Sequence, residues 1–182
     1  VLTIWQYIQQ TGDIEILLRV APFFQDGLGM RGTQRNAIQA DRSCTGTVAE
    51  HMLLEQLTAF CEAGEHGLLR LRDADWNDAL DMASQRGESG AFTSAYAGSM
   101  ELLAKMLETL RKTGKCSSID LPKRFEILLG EEDNWASIAS RREKLNRFCA
   151  QCIQIPDDDR IQIPLDKIVR HLDLCADTLK AI

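Results

Sequence analysis

The chain has 182 residues, of which 45% are hydrophobic and 26% are charged, and its net charge is −6 at pH 7. This composition supports one globular domain with an apolar core and argues against a disordered chain. The negative charge argues against nucleic acid as a partner, because nucleic-acid-binding faces are usually basic. No apolar run reaches the roughly 18 residues of a membrane span, so no membrane is expected as a partner.

The N-terminus predicts that the chain is a piece of a longer protein. It has no initiator Met, no basic start and no cleavage pattern of the kind that marks a signal peptide. We therefore expect a cytoplasmic protein in which residues 1–182 form a single domain, itself a fragment of a larger one.

Six cysteines are spread along the chain, and an even count fits a disulfide framework only in a small secreted protein. Because several of them fall on the apolar faces of predicted helices, we expect reduced thiols that pack in the core. The alternative is a structural zinc site, since zinc takes four nitrogen and sulfur ligands. Its candidate ligands would be Cys149, Cys152, His171 and Cys175. We prefer core packing and assign no metal site.

Helical periodicity dominates the sequence. Residues 1–11 are predicted as a helix that ends at Gly12, followed by a short helix that Asp13 caps and that continues to Leu18. Residues 25–46 are rich in glycine and polar residues and are predicted as a long loop, of the kind that often carries function.

The next helix is predicted to begin at Thr47, because Thr47 and Glu50 have the spacing of a capping box. Gly64 and Gly67 are expected to end it. Its apolar stripe consists of Ala49, Leu53, Leu57 and Phe60.

Three further helices are predicted over residues 91–112, 136–153 and 165–182, with a loop that runs to Asn134 between the first two. The only strand candidate is "RIQIP" at 160–164. The expected apolar faces are Phe92, Ala95, Ser99, Leu102, Met106 and Leu110 in the first helix, Ile138, Leu145, Phe148 and Cys152 in the second, and Ile168, Leu172, Cys175, Leu179 and Ile182 in the third. The pattern predicts an all-α protein of helical hairpins, whose long loops gather at one end and form a site-bearing face.

The most unusual stretch is "RLRDADWNDALD" at residues 70–81. A carboxyl group beside the indole of Trp76 would be partly desolvated, which raises its pKa as in a general acid. The Trp76 ring also offers a flat apolar surface to a sugar, and Asn77 offers donors and acceptors to hydroxyl groups. The alternative is a turn-rich loop in which Asp and Asn side chains bond to their own backbone.

The stretch "HGLLRLRDADWNDALDMASQRGES" at 66–89 resembles the catalytic-acid segment of the cellobiose phosphorylase family, glycoside hydrolase family 94. The matching pieces are "HGLL", "DWND" and "RGES". "TGD" at 11–13 and "GTVAEH" at 46–51 resemble other segments of that family in the same order. The resemblance extends over residues 1–112.

This resemblance implies part of an (α/α)6 barrel and an inverting glycoside phosphorylase that acts on a β-linked di- or oligosaccharide. It implies that Asp78 is the general acid and that Trp76 lines the sugar subsite. Asn77 and Asp75 are the further substrate-binding candidates, although Asp75 could instead orient the loop or cap a turn. Asp73 and Asp81 are expected to be turn or surface acids.

No cofactor is expected besides inorganic phosphate as co-substrate. An inverting hydrolase needs a second carboxylate to activate water, whereas phosphate is already an anionic nucleophile. In the family, the groups that hold phosphate come mainly from a later segment. We therefore expect the isolated chain to be inactive and the rest of the parent chain to be its partner; a homodimer is an open alternative.

Two residues depart from the family pattern. Ala79 stands where the family has a Gly after "DWND", and Arg72 replaces a small residue before it. Because Ala does not freely adopt positive φ, the loop is expected to take its own local path, with consequences for substrate choice. The alternatives to a phosphorylase are a non-catalytic helical carbohydrate-binding or interaction domain and an inverting hydrolase of similar barrel fold.

Four other residues are further candidates. His51 is given no catalytic role, and Glu88 is predicted to order the loop within "RGES", with a substrate contact as the alternative. Trp5 and Trp135 are predicted to pack in the core.

Overall fold

The structure, a computed structural model, describes residues 1–24, 40–71, 83, 86–130, 135, 137–154 and 159–182. Its α-helices are α1 (Leu2–Thr11), α2 (Val48–Cys61), α3 (Gly90–Lys112), α4 (Phe125–Leu129), α5 (Ile138–Gln154) and α6 (Leu165–Lys180), and a 3₁₀ helix spans Ile14–Leu18. Its strands are β1 (Val20–Phe24), β2 (Ala40–Thr47), β3 (Leu69–Arg70), β4 (Glu88–Ser89), β5 (Ser118–Pro122) and β6 (Arg160–Pro164).

Helix α3 forms the centre of the packing. It lies along α6 and also contacts α1 and α2. The predicted stripe of α6 is buried from Ile168 to Leu179, but Ile182 is exposed because the helix ends at Lys180. Within the described ranges, no helix is long and apolar enough to cross a membrane.

Helix α2 forms as its sequence predicts. The Glu50 amide nitrogen donates to Thr47 Oγ1 at 3.1 Å, so the threonine caps the first turn. The four residues of its predicted stripe, Ala49, Leu53, Leu57 and Phe60, are all buried. The second half of the predicted capping box is different, since the Glu50 side chain reaches Arg160 on β6.

The predicted apolar face of α3 is partly wrong. Ala95 is exposed, and the buried side is displaced by about one position from the prediction. The physical reason is that α3 has neighbours on more than one side, so a broad face is covered. Its buried residues are Thr93, Ala97, Met100, Leu103, Ala104, Met106, Leu107 and Leu110.

The all-α prediction is also partly wrong, because the described chain adds three antiparallel strand pairs to its helices. The predicted strand at 160–164 is confirmed as β6, but its partner β5 lies in the predicted loop before Asn134, as does α4. Residues 40–46 of the other predicted loop belong to β2, which pairs with β1. These pairs join residues 16 to 46 positions apart in the sequence through backbone hydrogen bonds, which local periodicity does not show. Residues 25–39 lie outside the described ranges.

The end of α1 confirms one prediction and corrects another. Gly12 adopts φ 72° and closes the helix as predicted. The side chain of Asp13 does not cap the 3₁₀ helix that follows. It accepts hydrogen bonds from the hydroxyl group of Tyr7 at 3.1 Å and from the guanidinium group of Arg19 at 2.6 Å, and so ties the two ends of this turn together.

Candidate active-site segment and its stem

The residues just before and just after the acid-rich stretch are described by the structure, and they lie side by side. Strand β3 pairs antiparallel with β4, and beyond this pair the Leu71 amide donates to the Gly87 carbonyl oxygen at 2.9 Å. Together these contacts form a stem for residues 72–86, which we call the acid segment. The candidates Asp75, Trp76, Asn77 and Asp78 lie outside the described residues, as do Arg72 and Ala79. Their roles therefore stay predictions.

Each residue of "RGES" makes a distinct contact at the stem. Arg86 Nη2 donates to Glu65 Oε2 at 2.6 Å in an exposed ion pair. Gly87 accepts from Leu71 and donates its own amide to the Ala83 carbonyl at 2.6 Å. Ser89 Oγ accepts from the Phe92 amide at 3.1 Å and caps α3. The acid segment is therefore followed directly by the first turn of the central helix.

Glu88 contributes a shielded carboxylate to the stem. Its side chain is only 8% exposed. Both carboxylate oxygens accept from the His66 backbone amide at 3.2 Å, and Oε1 also lies 3.0 Å from His66 Nδ1. Because an ionised carboxylate only accepts, His66 Nδ1 carries the hydrogen of this bond. Glu88 thus ties the end of "RGES" to the turn after α2, and its role in ordering the rest of the loop stays a prediction.

Hydrogen bonding also sets the charge of Glu88. Burial works to raise its pKa, but the hydrogen bonds from the His66 side chain and from the backbone of His66 and Glu65 outweigh it, so the pKa lies below its usual range. The carboxylate is therefore ionised at neutral pH. An ionised acceptor makes stronger hydrogen bonds than a neutral one.

The turn that receives Glu88 depends on two glycines. The Gly64 amide donates to the Leu68 carbonyl at 2.7 Å, and Gly67 adopts φ 88°, a value that glycine accepts without strain. The Gly67 carbonyl in turn accepts from Arg141 Nη2 at 3.2 Å. Arg141 is buried on α5, and its Nη1 reaches the Phe60 carbonyl at 3.4 Å, so it fastens both the end of α2 and this turn.

A buried threonine joins the stem to α3. The Leu69 amide donates to Thr93 Oγ1 at 3.0 Å, and the Thr93 hydroxyl donates to the Ser89 carbonyl at 2.6 Å. Thr93 is 3% exposed, so both bonds are shielded from water. Strand β3 is thereby fixed to the first turn of α3, and β4 is fixed to the turn after α2.

Guanidinium groups surround a small cavity beside the stem, of about 100 Å³. Arg70 pairs with Glu62 at 3.4 Å, and Arg142 Nε donates to the Ala63 carbonyl at 2.7 Å. Of the three arginines that line the cavity, two are therefore already paired with carboxylates: Arg70 with Glu62 and Arg86 with Glu65. Its lining consists of Gly64, Glu65, Arg70, Arg86 and Arg142.

The family-like segment at 46–51 packs against β1. The ring of His51 stacks on Phe23 with a centroid distance of 3.8 Å, and its Nε2 lies 3.2 Å from the Ala21 carbonyl oxygen. Glu50 is buried and accepts from Arg160 Nη2 at 2.7 Å. Arg160 also bonds to Asp120, so this pair connects α2 to the β5–β6 hairpin.

The four zinc candidates do not share one described site. Cys175 is buried, and its Sγ lies 3.5 Å from His171 Nε2, whereas Cys149 is exposed. The side chain of Cys152 lies outside the described residues. In the described part of the chain, no group of three or more His, Cys, Asp or Glu side chains converges as metal ligands would. Core packing is thus confirmed for Cys175 and wrong for Cys149.

Both tryptophans outside the acid segment pack against other side chains, as predicted. Trp135 is buried against Phe60 and His171, and its indole N–H donates to the Gly130 carbonyl at 3.2 Å. Trp5 packs on the edge of the core with Lys105 above its ring.

The contacts that three residues make in the stem have no clear signal in the sequence. Gly64, Glu65 and Thr93 do not belong to the family-like motifs, and each acts through a contact with a distant segment. The pair of glycines at 64 and 67 indicates a tight turn but does not indicate which side chain the turn receives.

The fold and the stem define a mostly helical protein segment that holds an acid-rich insertion at the start of its central helix. A family model described as "Glycosyl hydrolase 94 superfamily, catalytic domain" matches residues 1–116. The chain therefore belongs to glycoside hydrolase family 94, as the sequence motifs indicate.

Two curated relatives are similar to part of the chain. Solabiose phosphorylase from Paenibacillus borealis is 28% identical over 95 residues, which is 52% of this chain and 10% of the relative. The 3-O-beta-D-glucopyranosyl-beta-D-glucuronide phosphorylase of the same organism is 28% identical over 126 residues, which is 68% of this chain and 14% of the relative. The chain thus aligns with only a small part of each relative.

Proposed function

We propose that the protein containing this chain catalyses inverting phosphorolysis of a β-linked di- or oligosaccharide to a sugar 1-phosphate. The observation that carries this proposal is the family match over residues 1–116, which includes the "DWND" motif of the acid segment. Both relatives named above are phosphorylases, which supports inorganic phosphate as the co-substrate. No other cofactor is required for this chemistry.

The proposed reaction breaks one bond and forms one. A phosphate oxygen attacks the anomeric carbon from the face opposite the leaving group, and the glycosidic C–O bond breaks with its electron pair on the leaving oxygen. Asp78 gives that oxygen its proton, which leaves a carboxylate on Asp78 and a hydroxyl group on the released sugar. Inversion converts the β-glycoside into an α-sugar 1-phosphate. Phosphate needs no general base, so one carboxylic acid is sufficient.

The neighbouring residues of the motif have supporting roles in this proposal. Trp76 forms an apolar wall against the sugar, and Asn77 and Asp75 bind its hydroxyl groups. Arg72 and Ala79, where the sequence departs from the family, would shape the acceptor side and hence the choice of substrate. The phosphate-holding groups and the remainder of an (α/α)6 barrel would come from other parts of the parent protein.

The test uses the full-length parent protein, its Asp78→Asn variant and inorganic phosphate. Substrates are β-linked diglucosides, solabiose and 3-O-β-glucopyranosyl-glucuronide, and sugar 1-phosphate is measured. We expect turnover that requires phosphate and falls at least about 100-fold in the variant, since general acids contribute 10²–10⁴-fold. Asp81→Asn is the matched control, because Asp81 is an acid of the same segment without an assigned role.

Each contrary result identifies an alternative. Turnover by Asp78→Asn near that of the unmodified protein would exclude Asp78 as the acid. Hydrolysis that is independent of phosphate would indicate an inverting hydrolase. Sugar-dependent tryptophan fluorescence without any turnover would indicate a carbohydrate-binding domain. The isolated 182-residue chain is expected to be inactive, and phosphate-dependent turnover by it would contradict that expectation.

A further inference from the structure

We propose that Glu88 is the positioning residue of the acid segment, which it holds in register with the helical frame so that the general acid meets the glycosidic oxygen. This inference rests on the proposed function. It assigns no contact between Glu88 and the substrate, because Glu88 lies in the stem rather than in the acid segment itself.

The first step of the argument is the place of Glu88 between elements. Its backbone pairs with Arg70 on β3, and its side chain binds the turn at Glu65 and His66, directly after α2. One residue later, Ser89 caps α3. Glu88 therefore joins the returning end of the acid segment to the ends of two core helices.

The second step is a comparison of the contacts that hold the stem. The Arg86–Glu65 pair is exposed, and exposed pairs contribute about 0–1 kcal/mol because water and salt screen them. The Glu88 side chain is only 8% exposed and accepts several N–H groups from one short turn, although the His66 side chain is 80% exposed. A shielded carboxylate held by several charge-assisted hydrogen bonds resists displacement more than an exposed pair does. The charged groups around Glu88 are His66 and the Glu65–Arg86 pair, and Arg70, which pairs with Glu62, lies across from Glu88 on β3.

The third step is the sensitivity of acid catalysis to geometry. A general acid acts at a heavy-atom distance of about 2.6–3.2 Å from the oxygen that it protonates. Misplacement by about 1 Å can lower the rate about 100-fold. Asp78 and Glu88 are ten residues apart in the sequence. We therefore expect a shift of the stem to reduce the contribution of Asp78 as the acid, without any change in the residues proposed to contact the sugar.

The experiment separates positioning of the acid from general support of the fold. Glu88→Gln in the full-length protein removes the charge and retains the shape of the side chain. Phosphorolysis is measured with the natural disaccharide and with the 2,4-dinitrophenyl β-glycoside of the same sugar. The dinitrophenolate leaving group departs without protonation, so a misplaced acid matters only for the disaccharide.

We expect kcat for the disaccharide to fall 10- to 100-fold in Glu88→Gln, with KM for phosphate unchanged and less than a threefold loss with the dinitrophenyl glycoside. Glu65→Gln, which alters an exposed pair of the same turn, is the matched control and should keep at least half of kcat on both substrates. If Glu88→Gln folds poorly, Gly64→Ala can be used instead, because the added methyl group should displace the Glu88 side chain from the turn.

The possible results distinguish this inference from the proposed function. Equal losses on both substrates, or no loss on the disaccharide, would overturn the positioning role while the unmodified protein still shows phosphorolysis. Absence of phosphate-dependent cleavage by the unmodified protein would remove the proposed function and this inference with it.

Discussion

No side chain fits between Gly64 and the carboxylate of Glu88. A Cβ atom added at Gly64 would lie only 2.5 Å from Glu88 Oε1 and would overlap Cγ and Cδ of the same side chain. Gly64 does not adopt a positive φ, the backbone conformation that residues with a side chain rarely adopt. Its lack of a side chain therefore serves the close approach of Glu88, and not an unusual backbone conformation.

Gly64→Ala is predicted to expel the Glu88 carboxylate from the turn. The side chain of Glu88 can rotate away, so the fold should survive with a change of no more than a few degrees in Tm. In the full-length protein, kcat for the disaccharide should fall about 10-fold or more, because the stem loses the hydrogen bonds between Glu88 and the turn at His66. Steady-state phosphorolysis and thermal unfolding are the measurements.

The control for this substitution is Gly98→Ala. A Cβ atom at Gly98 meets no atom within 4 Å, and the residue lies inside α3. Alanine in a helix interior is favoured over glycine by about 0.5–1 kcal/mol, so this variant should be slightly more stable and fully active. If Gly64→Ala behaved in the same way, the close approach of Glu88 would have no role in activity.

Gly87→Ala is predicted to open the stem through the backbone. The added Cβ atom would lie 2.6 Å from the Ala83 carbonyl oxygen and 3.1 Å from Leu71 Cδ1. Relief requires movement of the backbone that carries the Leu71–Gly87 hydrogen bond. We expect a loss of about 1–3 kcal/mol in the free energy of unfolding, as for other overpacked sites. Urea unfolding of the chain measures it.

Gly90→Ala is the neighbouring control, because a Cβ atom there meets no atom within 4 Å. Its free energy of unfolding should equal or slightly exceed that of the unmodified chain. Equal stability of the Gly87 and Gly90 variants would contradict the tight packing of the stem.

Arg160→Met is predicted to destabilise the contact between α2 and the β5–β6 hairpin. It removes a charged partner of Glu50, whose side chain is only 2% exposed. A buried carboxylate that loses a cationic partner is less well compensated for its burial, and we expect a loss of about 2–4 kcal/mol. Removing both charges, as in Glu50→Gln with Arg160→Met, should recover part of this loss, because no buried carboxylate remains.

Lys123→Met provides the exposed comparison for that ion pair. Lys123 and Asp159 are both more than half exposed and lie 3.3 Å apart. Their separation should cost less than about 1 kcal/mol. Urea unfolding measures the free energy of unfolding of Arg160→Met, of Lys123→Met and of the double variant. A similar loss for Arg160→Met and Lys123→Met would mean that the pair of Arg160 with Glu50 contributes no more than an exposed pair.

The long helices were predictable because their local patterns and their packing agree. The cap at Thr47 and the apolar stripe from Ala49 to Phe60 both indicate helix α2. In α6, the predicted apolar stripe likewise agrees with the buried face. The strand pairs were harder to predict from the sequence. The β5–β6 pairing of Ser118 with Pro164 joins residues 46 positions apart, and neither segment alone determines its partner.

In the candidate site too, local patterns were predictable from the sequence and long-range contacts were not. The family could be predicted from the motifs around Asp78 and Glu88, which occupy a short stretch of sequence. The partner of Glu88 could not, because His66 meets it only after α2 has ended and the turn at Gly64 has formed. A contact between two loops depends on where the helices place them, and that information is tertiary.

His171 is predicted to make stability depend on pH. Burial, reinforced by the positive charge of Lys144, lowers its pKa to about 4, although a hydrogen bond with the Leu128 backbone opposes this. In the unfolded chain the pKa returns to about 6.5. Between these values the unfolded state binds more protons than the folded state, so stability falls as pH falls. From pH 7 to pH 5 the loss should be about 2 kcal/mol.

Urea unfolding of the chain at several pH values between 7 and 5 measures this loss. The His171→Asn variant lacks the titrating group, so its stability curve should be flatter over that window, whatever its stability at pH 7. Packing supports the prediction, since the His171 ring meets the Trp135 ring at 4.6 Å between centroids, and a charged imidazolium there would lose its hydration. Parallel curves for the chain and the variant would mean that His171 takes up its proton as readily in the folded chain as in the unfolded one.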